Sequence, residues 1–505
     1  YQRVAFFETN GANTFRRATD SSYWGAVWDT QRFWGTLRNY DADHQWVDQF
    51  AETIDTVIGT QLARQGLSAP QQMVTIFIRN DFDVSVEPNA IYYPSPRLLG
   101  LDASGQPSEA YLEGLSRAIA AHFAPVTLRF ALPDYQATDG VTIFLQQAAT
   151  QFAEKFQANQ IKIEFVTAED LTEQLPEQWL RNVDGALMRP TESLIKQGYL
   201  RDITQMVSDD KEFDRGDFYV QAWQGAWWRE RMWLVPWSTS LNLLYYNQDL
   251  FGQSGVELPQ ADWSWDQMEA SLKQLTLEDG ADRPIIDPTR DLLYAHVFSN
   301  LPACQGRNCV TPLTPDSAIA TLEWYQRLVG EDAIFTDLAT MDSIQREQIV
   351  RNTLSAHKQV AMWVDGPIRY EYQLGLQRTG ILPLPRFSAE NTLTMPVRIH
   401  GHVISNFSDQ PYWTWQWLKF LSYQSPPPRL RHIPARPSVA RQSLYWQKLP
   451  EPIAAVYQQV TGGARPILIG EENYFTWQQL DHVIRADQVN DRIAQPTKTN
   501  WFLSP

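Results

Sequence analysis

The sequence has only two cysteines, Cys304 and Cys309, with no third cysteine or flanking histidine beside them. A zinc site needs about four ligands, so this C-x4-C spacing is a poor metal motif and no metal is assigned. The residues between them, Gln-Gly-Arg-Asn, are a polar turn that can bring two Cα atoms within disulfide range. A disulfide is the first reading, with a pair of free thiols as the alternative, and a disulfide would place the chain outside the cytoplasm. Long apolar runs are missing: nothing approaches the roughly 18 residues that mark a membrane-spanning helix. Basic runs are missing too. The 42 Lys+Arg against 58 Asp+Glu give a net charge of −16, which argues against nucleic acid or an anionic membrane surface as partner. Lysine is absent from residues 1–125, where nine Arg oppose fourteen Asp+Glu. There is no H-E-x-x-H, G-x-S-x-G, Walker A loop or Rossmann G-x-G-x-x-G. In residues 1–125, His44 and His122 stand apart and no nucleophile–base motif is found. Counting alone leaves one enzymatic option, a glycosidase carboxylate pair, because carboxylates are plentiful. The chain opens at Tyr1 with neither Met nor a charged-then-apolar leader, as expected after leader cleavage or of a trimmed start.

What the sequence does contain is apolar and aromatic. Its 505 residues are 43% hydrophobic, enough for two to four domains with their own cores at roughly 150 residues each. Aromatic content of 12% excludes a disordered acidic tail. There are 20 Trp, 16 of them after residue 125. Residues 73–78 (MVTIFI) read as a buried strand, and 108–123 as a helix with Ser108 as N-cap. Pro125 marks a boundary. Beyond it, a strand at 126–132, an amphipathic helix at 141–157 and a strand at 161–166 predict a βαβ unit with a parallel sheet. Apolar runs at 241–246 and 360–364 fit further strands, and 262–275 and 315–328 fit helices with Asp, Ser or Pro start signals.

The run 235–251 (VPWSTSLNLLYYNQDLF), followed by 263–275 (WSWDQMEASLKQL), resembles the extracellular solute-binding proteins of ABC importers, the sugar-binding group that includes maltose-binding protein. Four further stretches resemble the family in its order: 194–203 (LIKQGYLRDI), 360–366 (VAMWVDG), 401–421 (GHVISNFSDQPYWTWQWLKFL) and 433–440 (IPARPSVA). The resemblance covers 126–505 and leaves residues 1–125 as an additional α+β domain of unassigned role. It implies an α/β fold of the type II periplasmic-binding-protein kind. One lobe would comprise about 126–236 and 386–425, the other about 239–383 and 430–505. It also implies an extracytoplasmic monomer that needs no cofactor and hands a carbohydrate to permease subunits, held at the membrane by a lipid anchor ahead of this chain. The alternatives are a binder of another solute, such as a glycerol phosphate or a peptide, and a polysaccharide hydrolase.

A sugar is held by flat aromatic faces and by planar polar groups that pair its hydroxyls. From the family's motif, Trp237 is expected at the lobe crossover, with Ser238 and Ser240 after it. Trp363 and Asp365 are expected at a second hinge passage. There the family's usual aromatic is replaced by Ile368, so Trp363 or Tyr370 would supply the stacking. Asp134 and Tyr135 follow the first strand of the βαβ unit, and Asp184 in NVDGA stands where the family has an acidic or polar cleft residue. His402, of the His-Gly-His at 400–402, and Arg436 complete the candidate ligand contacts. The alternative for each is structural: a core Trp, a local Asp cap, a surface ion pair for Arg436. The cluster Trp223, Trp227, Trp228 and Trp233 reads as core.

Overall fold

Period-two alternation drives the first sheet of the computed structural model. The model describes residues 7–9, 15–17, 24–64, 70, 73–80, 84–87, 90–122, 126–156, 161–275, 284–301, 311–332, 334–356, 360–366, 379–386, 395–461 and 464–485. Cys304, Cys309 and Tyr370 lie outside these residues. The chain divides into two units, residues 1–128 with 147–164, and residues 129–146 with 165–505.

In the first unit the strands are β1 (Val27–Arg32), β2 (Gly35–Tyr40), β3 (Val74–Arg79), β4 (Ser85–Glu87) and β5 (Ala90–Pro94), in the order β1-β2-β3-β5-β4. Strands β2, β3 and β5 are mutually parallel. Helix α1 (Val47–Arg64) links β2 to β3, and α2 (Glu109–His122) follows β5. Ser108 caps α2 as its sequence suggests, accepting from the Tyr111 N–H at 3.3 Å. Alternation buries Val74, Ile76 and Ile78 against Phe50, Ile54 and Ile58 of α1 and Leu115 and Ile119 of α2.

The second unit holds two large sheets and a short two-stranded ribbon, Trp227–Trp228 with Arg231–Met232. The first contains β6 (Thr127–Leu132), β7 (Lys162–Thr167), β8 (Gly185–Leu187), β9 (Val235–Ser240), β14 (Pro396–Ile404) and β15 (Ile433–Pro434), in the order β15-β9-β14-β8-β6-β7, and β16 (Arg465–Pro466) joins β14. Helix α3 (Gly140–Lys155) stands between β6 and β7, as the sequence spacing predicts. The second sheet is β11-β12-β10-β13, from β10 (Leu243–Asn247), β11 (Ile285–Ile286), β12 (Met362–Asp365) and β13 (Thr379–Leu382). Helices α4 (Trp265–Gln274), α5 (Asp291–Ser299) and α6 (Pro315–Val329) lie between its strands in sequence. Both α4 and α6 start on side-chain caps, Ser264 and Thr314, which satisfy N–H groups that the helix leaves free.

The chain passes from the first sheet to the second between β9 and β10, at Leu241–Asn242, and returns between β13 and β14. Residues 360–366, expected to carry the return, instead form β12 inside the second sheet, paired with β10 and β11. Strand β14 runs antiparallel to β8 and β9, and β8 is parallel to β6, so β6, β8 and β9 all end at the edge where β14 begins. Toward the opposite end of these strands they pack closely: a Cβ on Gly401 would lie 2.3 Å from the Val235 carbonyl oxygen, so only glycine fits. Helix α7 (Pro411–Ser422) contributes Trp413, Trp415 and Trp417 to the buried interior, which accounts for part of the tryptophan excess.

Candidate functional site

The site follows from the strand directions. Ligands of parallel sheets sit beyond the carboxyl ends of strands, and here that edge coincides with both crossovers. On β14 the side chains of Arg398, His400 and His402 share one face by the two-residue period, and burial deepens along it: Arg398 and His400 are half-buried, His402 fully buried. The His400 ring stacks on His432 at 4.3 Å between centroids, 17° from parallel. Ser240 lies 2.8 Å from Nε2 of His400, and Ser238 lies 3.3 Å from Nδ1 of His432. Burial pulls both imidazoles below their ordinary range, His432 to about 4; for His400, neighbouring His432, Arg189 and Arg398 add to the effect. At neutral pH both rings are uncharged, and each carries one donor and one acceptor nitrogen.

Next to them the charges are paired. Arg398 donates Nη1 and Nη2 to the two carboxylate oxygens of Asp291 at 2.9 and 2.5 Å, and Nη2 also to the Thr289 carbonyl at 3.0 Å. Asn242, in the first crossover, donates to the same carboxylate at 2.9 Å. Asp291 therefore binds one group from the first crossover and one from β14, the strand into which the return leads, and it is wholly buried. It opens α5, where the helix dipole favours a carboxylate. Asp287 holds that helix start, its carboxylate accepting from the N–H groups of Thr289, Arg290 and Leu292 at 2.9 Å each. Arg189, just beyond the end of β8, faces Glu472 at 3.6 Å. Chemically the junction offers hydroxyls, neutral imidazoles, an amide and internally compensated ion pairs. That set suits hydrogen-bond exchange with a neutral polar solute and lacks a surplus charge for an anion.

The residues expected from the sequence fall in three places. Ser240 belongs to the junction, Ser238 lies beneath it, and Asp365 ends β12 beside Gly366, whose added Cβ would lie 3.4 Å from Asn242 Oδ1. Asp134 and Tyr135 follow β6 at the same strand-end edge, Asp134 exposed and Tyr135 half-buried. The others pack inside. Trp237 is 2% exposed, its indole N–H donating to the Gln424 carbonyl at 2.9 Å and its ring lying 6.0 Å from Phe144 and 5.5 Å from His402. The β9–β14 register shifts between Pro236 and Ser238, and that bulge at Trp237 re-aims its side chain. Trp363 stacks on Tyr245 across β12 and β10 at 5.7 Å and 10°, 1% exposed. His402 is enclosed between Phe130 and Trp237, and burial pulls its imidazole to about 3. Asp184 precedes β8, at the opposite end from Arg189, and its carboxylate accepts from the Arg129 N–H and the Ser408 hydroxyl. Arg436 is buried under Phe218 and Tyr423 at 3.8 and 3.9 Å, with Asp217 at 3.7 Å. Its guanidinium fills an aromatic box in place of the surface ion pair that the sequence left open. Arg189, Asn242, Asp291, Arg398 and His432 were not anticipated, and His400 entered only as the companion of His402 in His-Gly-His. The period-two step back from His402 is the one sequence signal that leads to His400 and Arg398.

Among the described residues no group of three or more His, Cys, Asp or Glu could hold a metal, and no helix is long and apolar enough to cross a membrane.

The class comes from the fold: two α/β lobes joined by crossing segments, the architecture of the MalE-like periplasmic binding proteins. Residues 141–295 match the model of the bacterial extracellular solute-binding protein family, in agreement with the resemblance read from the sequence. The sugar-binding protein MalE from Xanthomonas citri superposes with a TM-score of 0.53 at 15% identity, over 74% of this chain and 95% of that one. The GacH receptor of Streptomyces glaucescens, solved unliganded and with acarbose, gives 0.50 at 16%, over 73% and 96%. A cyclo/maltodextrin-binding protein complexed with maltotetraose gives 0.50 at 16%, over 73% and 94%. The matched family and these structures are binding proteins, not enzymes. No curated protein matches the sequence.

Proposed function

We propose that this chain is the extracytoplasmic binding component of an ABC importer. It takes a neutral carbohydrate between its two lobes and presents it to the permease. The observation that carries this reading is the polar junction at the crossovers, where cations are matched by carboxylates and uncharged hydrogen-bonding groups remain. Ser240, Asn242, His400 and Asp365 are the proposed hydroxyl partners, with Asp134 and Tyr135 at the rim. Trp237, Trp363, Ser238 and His402 would act from beneath, by fixing the strands that carry those groups. Residues 126–505 are proposed as the binding protein and 1–125 as a separate appended domain.

Thermal-shift and calorimetric titration against maltose, maltotetraose, glycerol 3-phosphate and a tetrapeptide tests this. A neutral saccharide at 100 times its Kd should add about 2.7 kcal/mol, with no release of new reducing ends. Stabilisation by glycerol 3-phosphate or the peptide alone would replace the sugar reading, and new reducing ends would replace it with hydrolysis.

A further inference from the structure

Chain segments cross between the lobes from neighbouring positions on one edge of the first sheet. Ser240, the last residue of β9, pairs with Arg398 of β14, and Arg465–Pro466 of β16 pairs with Pro396–Val397 at the start of β14. Beyond β9 the chain enters the second sheet, and β14 receives the return. Beyond β16 it runs onto the second lobe, where the Glu471 carboxylate accepts from the Leu313 N–H at 2.8 Å and the Phe475 carbonyl from Arg290 at 2.9 Å. Helix α5 of the second lobe meets this edge. Its residues Asp291–Phe298 are all buried, and it belongs to that lobe's core: the His296 ring stacks on Trp324 of α6 at 4.2 Å and meets Trp265 of α4 at 5.3 Å. Two guanidiniums rooted in the first sheet hold its two ends. Arg398 takes the first turn, through both oxygens of Asp291 and the Thr289 carbonyl just ahead of it. Arg465 takes the last turn. Its guanidinium lies 3.8 Å from the centre of the Phe298 ring, donates to the Thr311 carbonyl at 2.6 Å and pairs with Glu471 at 2.8 Å.

We infer that α5 is the fulcrum of lobe movement, and that Arg398 and Arg465 are the positioning residues that seat it on the first sheet. Hinge closure leaves contacts near its axis almost unchanged in length and breaks those farther out. Both guanidiniums start within a few residues of a crossing, so both lie near that axis. Their surroundings suit a contact kept in every arrangement of the lobes. The Arg398 and Arg465 side chains are 25% and 11% exposed, their carboxylate partners 0% and 6%, and parting a buried pair leaves each charge uncompensated. Each guanidinium fork also reaches a backbone carbonyl together with the carboxylate, which fixes direction as well as distance. Held at both ends, α5 can turn with its lobe about the crossings but cannot slide or twist along the sheet edge. The ligand plays no part in this inference, which rests on the two-lobe fold alone.

Spin labels at Gln197→Cys and Glu323→Cys, one exposed position on each lobe, report the interlobe distance in the unliganded full chain with Cys304→Ser and Cys309→Ser. Arg398→Gln and Arg465→Gln should each widen the distance distribution, and the two together should widen it further. Leu272→Ala, which destabilises the second lobe's core away from α5's ends, should keep the parent's width, so that widening reports the fulcrum and not lost stability. An unchanged width in the folded Arg variants, a shifted mean at unchanged width, or equal widening in Leu272→Ala would each overturn the inference. If the Gln variants do not fold, Arg398→Lys with Arg465→Lys takes their place. It keeps both charges but loses both forks, so it should widen the distribution less, and the parent's width there would overturn the fulcrum.

Discussion

Two histidines set two residues apart on β14 meet opposite fates. His400 has a serine hydroxyl and a stacked imidazole for company, whereas both ring nitrogens of His402 are buried without a hydrogen-bond partner among the described residues. A buried polar group left unsatisfied costs on the order of 1–3 kcal/mol, and an apolar side chain of similar size escapes that cost. His402→Leu should therefore leave urea stability unchanged or raise it, even though the position is fully buried. Trp237→Ala should do the reverse. It removes a ring packed on Phe144 and His402 and a bonded indole N–H, so a loss of about 3–5 kcal/mol is expected in urea unfolding, with Trp237→Phe costing less. At this scale the sequence conveys residue type well and orientation poorly. The motif drew attention to Trp237, but whether an aromatic at a crossover stacks on a ligand or fills the core depends on the bulge at that residue. Neither propensity nor spacing reports a bulge.

Elements were more legible than side chains. The strand at 126–132, the helix at 141–157, and the helices at 262–275 and 315–328 were all readable to within a few residues, because periodicity and capping residues act within a few positions of each other. The junction was not, since its polar groups come from positions 189, 242, 291, 398, 400, 432 and 472, and only the two crossings bring them together. Asp291 shows how much one position in an element can hold. It opens α5 and accepts from Asn242, in the first crossing, and from Arg398, on the strand that follows the second. Removing one member of a buried ion pair leaves the other uncompensated, at about 3–5 kcal/mol. Because the Arg398 side chain keeps 25% exposure, Asp291→Ala should fall near the lower end. Hydrogen exchange should show the loss first in α5 and at the start of β14. Uniform loosening of both sheets would count against a node at the crossovers.

Across the whole molecule, buried imidazoles set a shared pH response in the second unit. Burial lowers His296 and His432 to about 4 and His402 to about 3, and it lowers His400 as well. The unfolded chain takes up these protons near pH 6.5, while the native chain refuses them until well below that value. Between those limits the unfolded state binds more protons, so stability falls as pH falls from about 6.5 toward 4, and above 6.5 these groups contribute no slope. Each histidine adds at most about 1.4 kcal/mol per pH unit within the window. Asp287 and Glu472 pull the other way, because burial raises their carboxyls and they gain protons on folding as the medium acidifies. The histidines outnumber them, so the net slope should be positive. In the first unit the sign is reversed at Asp43. Burial pushes its carboxyl up to about 6, only partly opposed by Ser95 and Arg97, so acidification from pH 6.5 to 5 favours that unit's native state. Hydrogen exchange resolved by segment should therefore show protection at β14 and α5 falling across this interval, while protection at β2 and β3 holds or rises. Asp43→Asn should remove the rise in the first unit alone. His400→Asn with His432→Asn should flatten the fall in the second, and a fall of unchanged steepness in that double variant would show that these two imidazoles do not titrate with unfolding.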